Sequence, residues 1–564
     1  MKFRLVLVVI PLMGLLLAAC GDSVQPSITL SPATATLNPV TSSPITTSAN
    51  SNPATPSPTI STDSTVLSGK LPWQPATPNQ TVMRPNLSQQ EKAMLPAYSG
   101  DIKLPQNQTA PIYNLALQLD INGEVASGSA SEQLFFTNDT GATLDSLYLW
   151  LWANAPTDPA YRKPLEVSNI RVNGQSAVTV LANDGAQLKI NLDNLRPDAT
   201  VVVELDFTLD FPPPGKYEYF KYDAANQLLS LTFWYPQVAV YDTRYGGWDS
   251  HSYNVQGDIT NSRVSFFNLW LTAPVENVIV ANGKILDSKD NEDGSRTSWI
   301  ITGPVRDLVA TLSPRYQSIS LKAGETLVTG YYLERDSVWG ERAAGFAANA
   351  LLTYNALFGV YPYAEFKMAE ASLASFGGFE FPAMILITTR YYNYSAALSM
   401  EYAVAHETAH QWWYGLVGND QVQEAWQDES LTQYVPVFYF ERFKSKAEGQ
   451  RIVSTYMLNG FRNLIDSGQD AIVAQPVYAW KDFNLYLQVV YNKGGLFYQA
   501  FRKVYGDEVF ARFTRTYLER NRYRFAAPAD FLDALKFAAG TGREETVTAM
   551  YRHWMQAKEG AQDR

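Results

Sequence analysis

The chain has 564 residues, 46% of them apolar and 13% aromatic, enough to build two or more compact units with sizeable cores. A net charge of −11 with no long basic run argues against duplex nucleic acid as a partner, because that binding rests on neutralising phosphates. There is no glycine-rich phosphate loop ending in Gly-Lys-Ser/Thr and no GxSxG nucleophile elbow, and the single cysteine, Cys20, excludes an intramolecular disulfide.

From the N-terminus, Lys2 and Arg4 form a short positive region and Leu5–Ala19 an apolar one, which together read as a secretory signal over residues 1–20. Residues 23–62 carry no charge and are rich in Ser, Thr, Pro and Ala, so they cannot bury enough apolar surface to offset their chain entropy. The expectation is a disordered tether over 21–95. From Tyr113 onward, runs such as "YNLALQLDI", "LYLWLWAN" and "VVVELDFTLDF" have period-two patterning with Gly, Pro, Asn and Asp between them, which predicts a β-rich domain over 96–325. A second domain, 326–564, opens with the helical spacing of "GERAAGFAANALLTYNALFG", continues with strand-like "FKMAEASL" and "PAMILITT", and is mostly helical from Ala397. "PADFLDALKFAAG" and "REETVTAMYRHWMQ" close the chain as two helices with proline or acidic starts. No stretch after the signal is long and apolar enough to span a bilayer.

Only four histidines occur in the chain, and two of them stand in "SMEYAVAHETAHQWWYG", which fits a helix ending near Gly415. Residues four apart share one helical face, so His406 and His410 point the same way, as two ligands of one Zn²⁺ must, with Glu407 beside them to take a proton from water. A catalytic zinc needs a third protein ligand and an open position. His251 and His553 are remote in sequence, so a carboxylate is expected. Glu429, in the helical run "EAWQDESLTQYVPVFYFERF", follows His410 with eighteen residues between, and an antiparallel second helix can bring it back. Pro436 should kink that run.

HExxH, eighteen residues, then Glu, with aromatics after the second His, resembles the gluzincin aminopeptidases of the aminopeptidase N and leukotriene hydrolase family; the matching residues are His406, Glu407, His410, Trp412, Val417, Trp426 and Glu429. The resemblance implies an α+β fold in which a β-rich N-terminal domain packs on a thermolysin-like, mostly helical zinc peptidase domain. It implies one Zn²⁺ per chain on His406, His410 and Glu429, with Glu407 as general base. Gly377-Gly378-Phe379-Glu380-Phe381 resembles the family's G-x-M-E-N edge strand, which makes Glu380 the residue that holds a substrate's ammonium, with Gly377, Gly378 and Phe379 beside it and Phe379 narrowing the first side-chain pocket. Tyr491-Asn492-Lys493-Gly494, sixty-two residues past Glu429, resembles the family's Y-x-K-G stretch and implies that Tyr491 donates to the oxyanion. The family's Asn-Glu-Gly around the third ligand is Asp428-Glu429-Ser430 here. A second amine-binding residue from the β-rich domain is not identifiable; Gln237 sits in the wrong part of the pattern.

"LAAC", Leu17 to Cys20, resembles the lipobox of bacterial lipoproteins and implies cleavage before Cys20 and lipid on its thiol. The expected protein is therefore lipid-anchored to a bacterial cell membrane outside the cytoplasm and acts on peptides with a free N-terminus. The family's additional C-terminal domains are expected to be absent, which would leave the cleft open. Two other readings stay open: a zinc endopeptidase with the same metal site, which would cleave N-blocked peptides, and a non-catalytic surface binding protein on a peptidase scaffold.

Overall fold

Alternating apolar residues build the N-terminal region as sheets. In the computed structural model, residues 71–564 are described apart from 79, 81, 156–162, 215–219, 252–255, 260 and 564; the signal, Cys20 and the tether as far as residue 70 lie outside the described residues. The largest sheet has eight strands in the spatial order Lys284–Asp290, Ser295–Ile301, Phe266–Pro274, Ile112–Ile121, Ala126–Thr137, Thr200–Asp210, Leu165–Val172 and Gln175–Ser176. Within it, Ile112–Ile121 and Phe266–Pro274 run parallel and the other neighbours antiparallel. Along Ile112–Ile121, Leu115, Leu117 and Leu119 are buried while Gln118 and Asp120 face water, so one face closes on the core and the other is left to solvent.

The C-terminal half is built on a five-stranded sheet in the order Tyr316–Ala323, Thr326–Leu333, Glu365–Ala371, Met384–Thr388 and Gly378–Phe381, and is otherwise mostly helical, so the architecture is α+β as expected. Helix α1, Ser337–Phe358, lays its alanine face on this sheet; a Cβ on Gly330 would stand 2.6 Å from that of Ala344, so the glycine sets how closely helix and strand approach. Gly378–Phe381 is the edge strand, paired antiparallel with Met384–Thr388. Helix α2, Ala397–Ala409, passes behind these two strands, and α3, Trp426–Tyr434, packs on α2. Pro436 breaks the run after α3 outright: it takes the first position of a new helix, Pro436–Phe443, where its missing N–H costs nothing. The two closing helices form as Pro528–Ala539 and Glu544–Gln556. Among the described residues, no helix is long and apolar enough to cross a membrane.

Two expected boundaries move. The tether was placed through residue 95, yet Gln90–Ala93 is a helical turn, Ala93, Met94 and Leu95 are buried, and Ala93 O and Leu95 N bond the chain at Ala364 and Pro362. A three-residue apolar knot among Gln, Lys and Pro is too short to show periodicity, and its burial depends on a partner far along the chain. The boundary at 325/326 cuts a hairpin: Tyr316–Ala323 turns through Gly324, at φ +67°, into Thr326–Leu333, and both strands belong to the second sheet.

Candidate metal centre and active site

His406 lies in the last turn of α2 and His410 caps it. Their Nε2 atoms are 3.2 Å apart, and Glu429 Oε2, from the first turn of α3, is 3.4 Å from His406 Nε2 and 3.5 Å from His410 Nε2. Bonds of 2.0–2.2 Å from a tetrahedral zinc to N and O ligands require ligand-to-ligand edges of roughly 3.3–3.5 Å, so the three atoms already stand at the corners such an ion needs. Glu429 Oε2 is buried without a hydrogen-bond partner, an expensive state for a carboxylate oxygen that a cation would relieve. The donor set fits Zn²⁺.

The end of α2 is not where sequence spacing puts it. The helix stops at Ala409 rather than near Gly415, and Tyr414 takes φ +106°, a conformation a non-glycine residue adopts only when its surroundings hold it there. Two neighbours from the β-rich domain do so. Arg306 Nε donates to Tyr414 O at 2.6 Å, and the Tyr414 hydroxyl donates to Asp307. The tight turn aims Trp413 O at His410 Nδ1, 3.0 Å away; Nδ1–H donates there and Nε2 is left to present its lone pair. Gln237, which fits no amine-binding position in the sequence pattern, is part of this clamp: its Nε2 donates to Asp307 Oδ1, Ser262 Oγ and Arg306 O. The Arg306 guanidinium is fully buried, also donates to Ser262 O and Arg524 O, and a Cβ on Gly418 would collide with it. Arg306→Met should therefore cost about 3–5 kcal/mol in denaturant unfolding, since three carbonyls lose their donor, and should weaken zinc binding measured by chelator competition. A stability within about 1 kcal/mol of wild type, with zinc held as tightly, would contradict the clamp.

Glu407 faces the edge strand. A Cβ on Gly378 would stand 2.5 Å from Glu407 Cγ and 2.6 Å from Oε1, so only glycine lets this strand lie against the carboxylate. Gly377 is less constrained: its virtual Cβ meets the far end of Tyr391. Two residues on, Glu380 Oε1 accepts from Gln421 Nε2 at 3.1 Å, and Gln421 also donates to Asp428 Oδ2. Gln411 pins the strand to the turn after α2, accepting from Ala383 N at 2.7 Å and donating to Phe381 O at 3.0 Å. Strand residues alternate in direction, and the Phe379 ring packs with Phe376 and Phe381 in an apolar cluster shared with Met384 and Leu386, on the opposite strand face from Glu380.

Tyr491 lies in a stretch of π-helix, Leu487–Lys493, a widened turn that swings its hydroxyl onto Glu429 Oε1, to which it donates. Ser430, the departure noted beside the third ligand, donates to Val490 O in that widened turn at 2.6 Å, in space that a Cβ on Gly494 would fill. Asp428 accepts from Asn419 as well as Gln421.

The β-rich domain contributes a residue that sequence spacing missed. Asp258 lies close enough to Glu380, Glu429 and Asp428 for their charges to push its carboxyl well above the usual range, with burial the largest cause. Burial likewise pushes Glu380 up to about 7 and Glu407 well above its ordinary value. Five carboxylates thus converge on two imidazoles, a set that favours cations over any other occupant. Asp258 carries no motif; its one local signal is the preceding Gly257, where a Cβ would press on Val477 and the Tyr486 hydroxyl.

Residues 344–554 match the model of the peptidase family M1 domain. That stretch, which holds the metal-ligand set, is similar to that family's domain. Over 80% of this chain the fold resembles 95% of the M1 zinc metallopeptidase from Deinococcus radiodurans, with a TM-score of 0.56 and 18% identity. A variant of that enzyme bound to a Tyr-Ser-Ala substrate aligns equally well, with a TM-score of 0.57. Among relatives, the alanine/arginine aminopeptidase of Saccharomyces cerevisiae is 21% identical over 457 residues, 78% of this chain and 50% of its own length. Human aminopeptidase B is 23% identical over 265 residues, 42% of this chain and 39% of its own length. The chain therefore spans half or less of the length of these relatives. The match begins inside α1, so the clamp residues Arg306 and Asp307, Asp258 and two strands of the second sheet precede it.

Proposed function

We propose that this protein is a zinc aminopeptidase that removes N-terminal residues from peptides, held outside the cytoplasm by lipid on Cys20. What carries the reading is Glu380, buried on the edge strand with a carboxylate oxygen within 4.8 Å of Glu407 and His410, with Asp258 of the β-rich domain near it. A free α-ammonium is the cation of that size that a substrate brings, and carboxylates beside the metal ligands are the recognition it needs. With the ammonium seated there, the first peptide bond lies over His406, His410 and Glu429. Zn²⁺ bound by these three supplies Lewis-acid polarisation of the scissile carbonyl and a water pKa lowered towards 7. Glu407 takes the proton of the attacking water and delivers it to the leaving amine. The Tyr491 hydroxyl, already beside Glu429, turns to donate to the oxyanion, a role typically worth about 10²–10³ in rate.

The test compares an aminoacyl-anilide with an N-acetylated peptide of the same first residue. Glu380→Ala and Asp258→Asn should each lower kcat/KM for the free amine by roughly 30-fold or more, the effect of about 2 kcal/mol or more from removing one partner of a buried charge pair, with little effect on the blocked peptide. Wild-type cleavage of the blocked peptide at the free peptide's rate, or an unchanged ratio in both variants, would mean an endopeptidase instead.

A further inference from the structure

The solvent face of the eight-stranded sheet holds a groove of about 1000 Å³, far from the metal ligands in the fold. Its floor is read from the strand register. One cross-strand row runs Asp206, Ser131, Ala116, Trp270, Trp299. The two indoles are parallel, with an interplanar angle of 4° and centroids 5.8 Å apart. On its other side in the row stands Ala116, a residue too small to cover the half-buried Trp270 ring. Trp73, tilted by 49° at 5.8 Å from Trp270, closes one end. Beyond Ala116, Asp206 is held rigidly: Ser131 Oγ donates to Oδ1 at 2.6 Å and Asn169 Nδ2 to Oδ2 at 2.8 Å, which leaves further lone pairs directed outward. In the adjacent row the hydroxyls of Thr272 and Thr297 lie 2.8 Å apart beside exposed Gln118.

We propose that this groove binds an uncharged polysaccharide chain. Aromatic rings on the solvent face of a strand normally seek a partner, and a pyranose ring offers an apolar C–H face for an indole and vicinal hydroxyls for a fixed carboxylate and paired threonine hydroxyls. The charge of the lining selects among polymers: with Asp290 paired to Arg296, the carboxylates of Asp206, Glu292 and Asp293 outnumber the single Lys289, so polyanions are repelled. A neutral glycan also suits a protein carried at a cell surface, and to that extent the inference rests on the proposed location but not on the peptidase activity.

Native electrophoresis of the full chain through gels containing laminarin, xylan or glycol chitin, with polygalacturonate as the anionic control, tests this. At least one neutral polymer should retard the wild type, insensitively to 0.5 M salt, while Trp270→Ala and Asp206→Ala each weaken the retardation at least tenfold and leave anilide hydrolysis unchanged. Asp206→Ala keeps the test intact if the tryptophan variant fails to fold. Wild-type mobility unchanged by all three neutral polymers, equal retardation of wild type and both variants, or stronger retardation by polygalacturonate would each overturn the proposal, as would displacement of a bound glycan by a proline-rich peptide.

Discussion

Glu407→Gln should bind zinc with wild-type stoichiometry and hydrolyse aminoacyl-anilides about 10³-fold more slowly. The substitution keeps the side chain's shape in a tight place, since Glu407 Cγ and Oε1 lie against the Gly378 backbone and leave no room for anything larger. It removes only the ability to accept and return a proton, which is typically worth 10²–10⁴ in rate. Glu407 is outside the set His406, His410 and Glu429, whose atoms stand 3.2 to 3.5 Å apart, so metal content should not follow activity. Zinc analysis beside kcat separates the two. A glutamine variant with wild-type kcat would remove Glu407 from the mechanism, and one that lost its zinc would make it part of the ligand set.

Gly378→Ala is expected to lower kcat by roughly 10² while the protein stays folded and zinc-loaded. Alanine suits a strand at least as well as glycine, so the local backbone has no reason to object. The whole cost falls on Glu407, because a methyl group 2.5 Å from its Cγ must push either the carboxylate or the edge strand aside. Displacing a proton-transfer group by about 1 Å is enough for a loss of that size. Gly377→Ala is the control: there the new methyl meets only the tip of Tyr391, which can swing away, and the loss should be far smaller. Equal losses in both variants would mean that the strand's general flexibility, rather than the contact with Glu407, limits the reaction.

The metal centre was legible because it is written locally. His406, Glu407 and His410 occupy one helical turn, and Glu429 comes from the next long helix, so spacing alone brings them together. The edge-strand glutamate and Tyr491 were reached through a resemblance carried by a few neighbouring residues. What escaped was written across the chain. Asp258 approaches Glu380 only because the β-rich domain packs on the second sheet. Arg306 and Asp307 act on a turn more than a hundred residues away, and nothing near either of them announces it. The end of α2 was misjudged for the same reason: a glycine at 415 is an ordinary helix stop, whereas the actual stop at Ala409 depends on a tyrosine held in a conformation that sequence spacing does not encode.

The Arg306 clamp also decides how this molecule comes apart. A guanidinium shared among Tyr414, Ser262 and Arg524 stitches three remote segments at one buried point, so the two halves cannot separate without uncovering a charge and three carbonyls together. Heating should then give a single endotherm in which metal release and loss of both sheets coincide. A fragment trimmed to 344–554 would lack the stitch and two strands of its own sheet, and no amount of added zinc should make it a soluble, ordered protein.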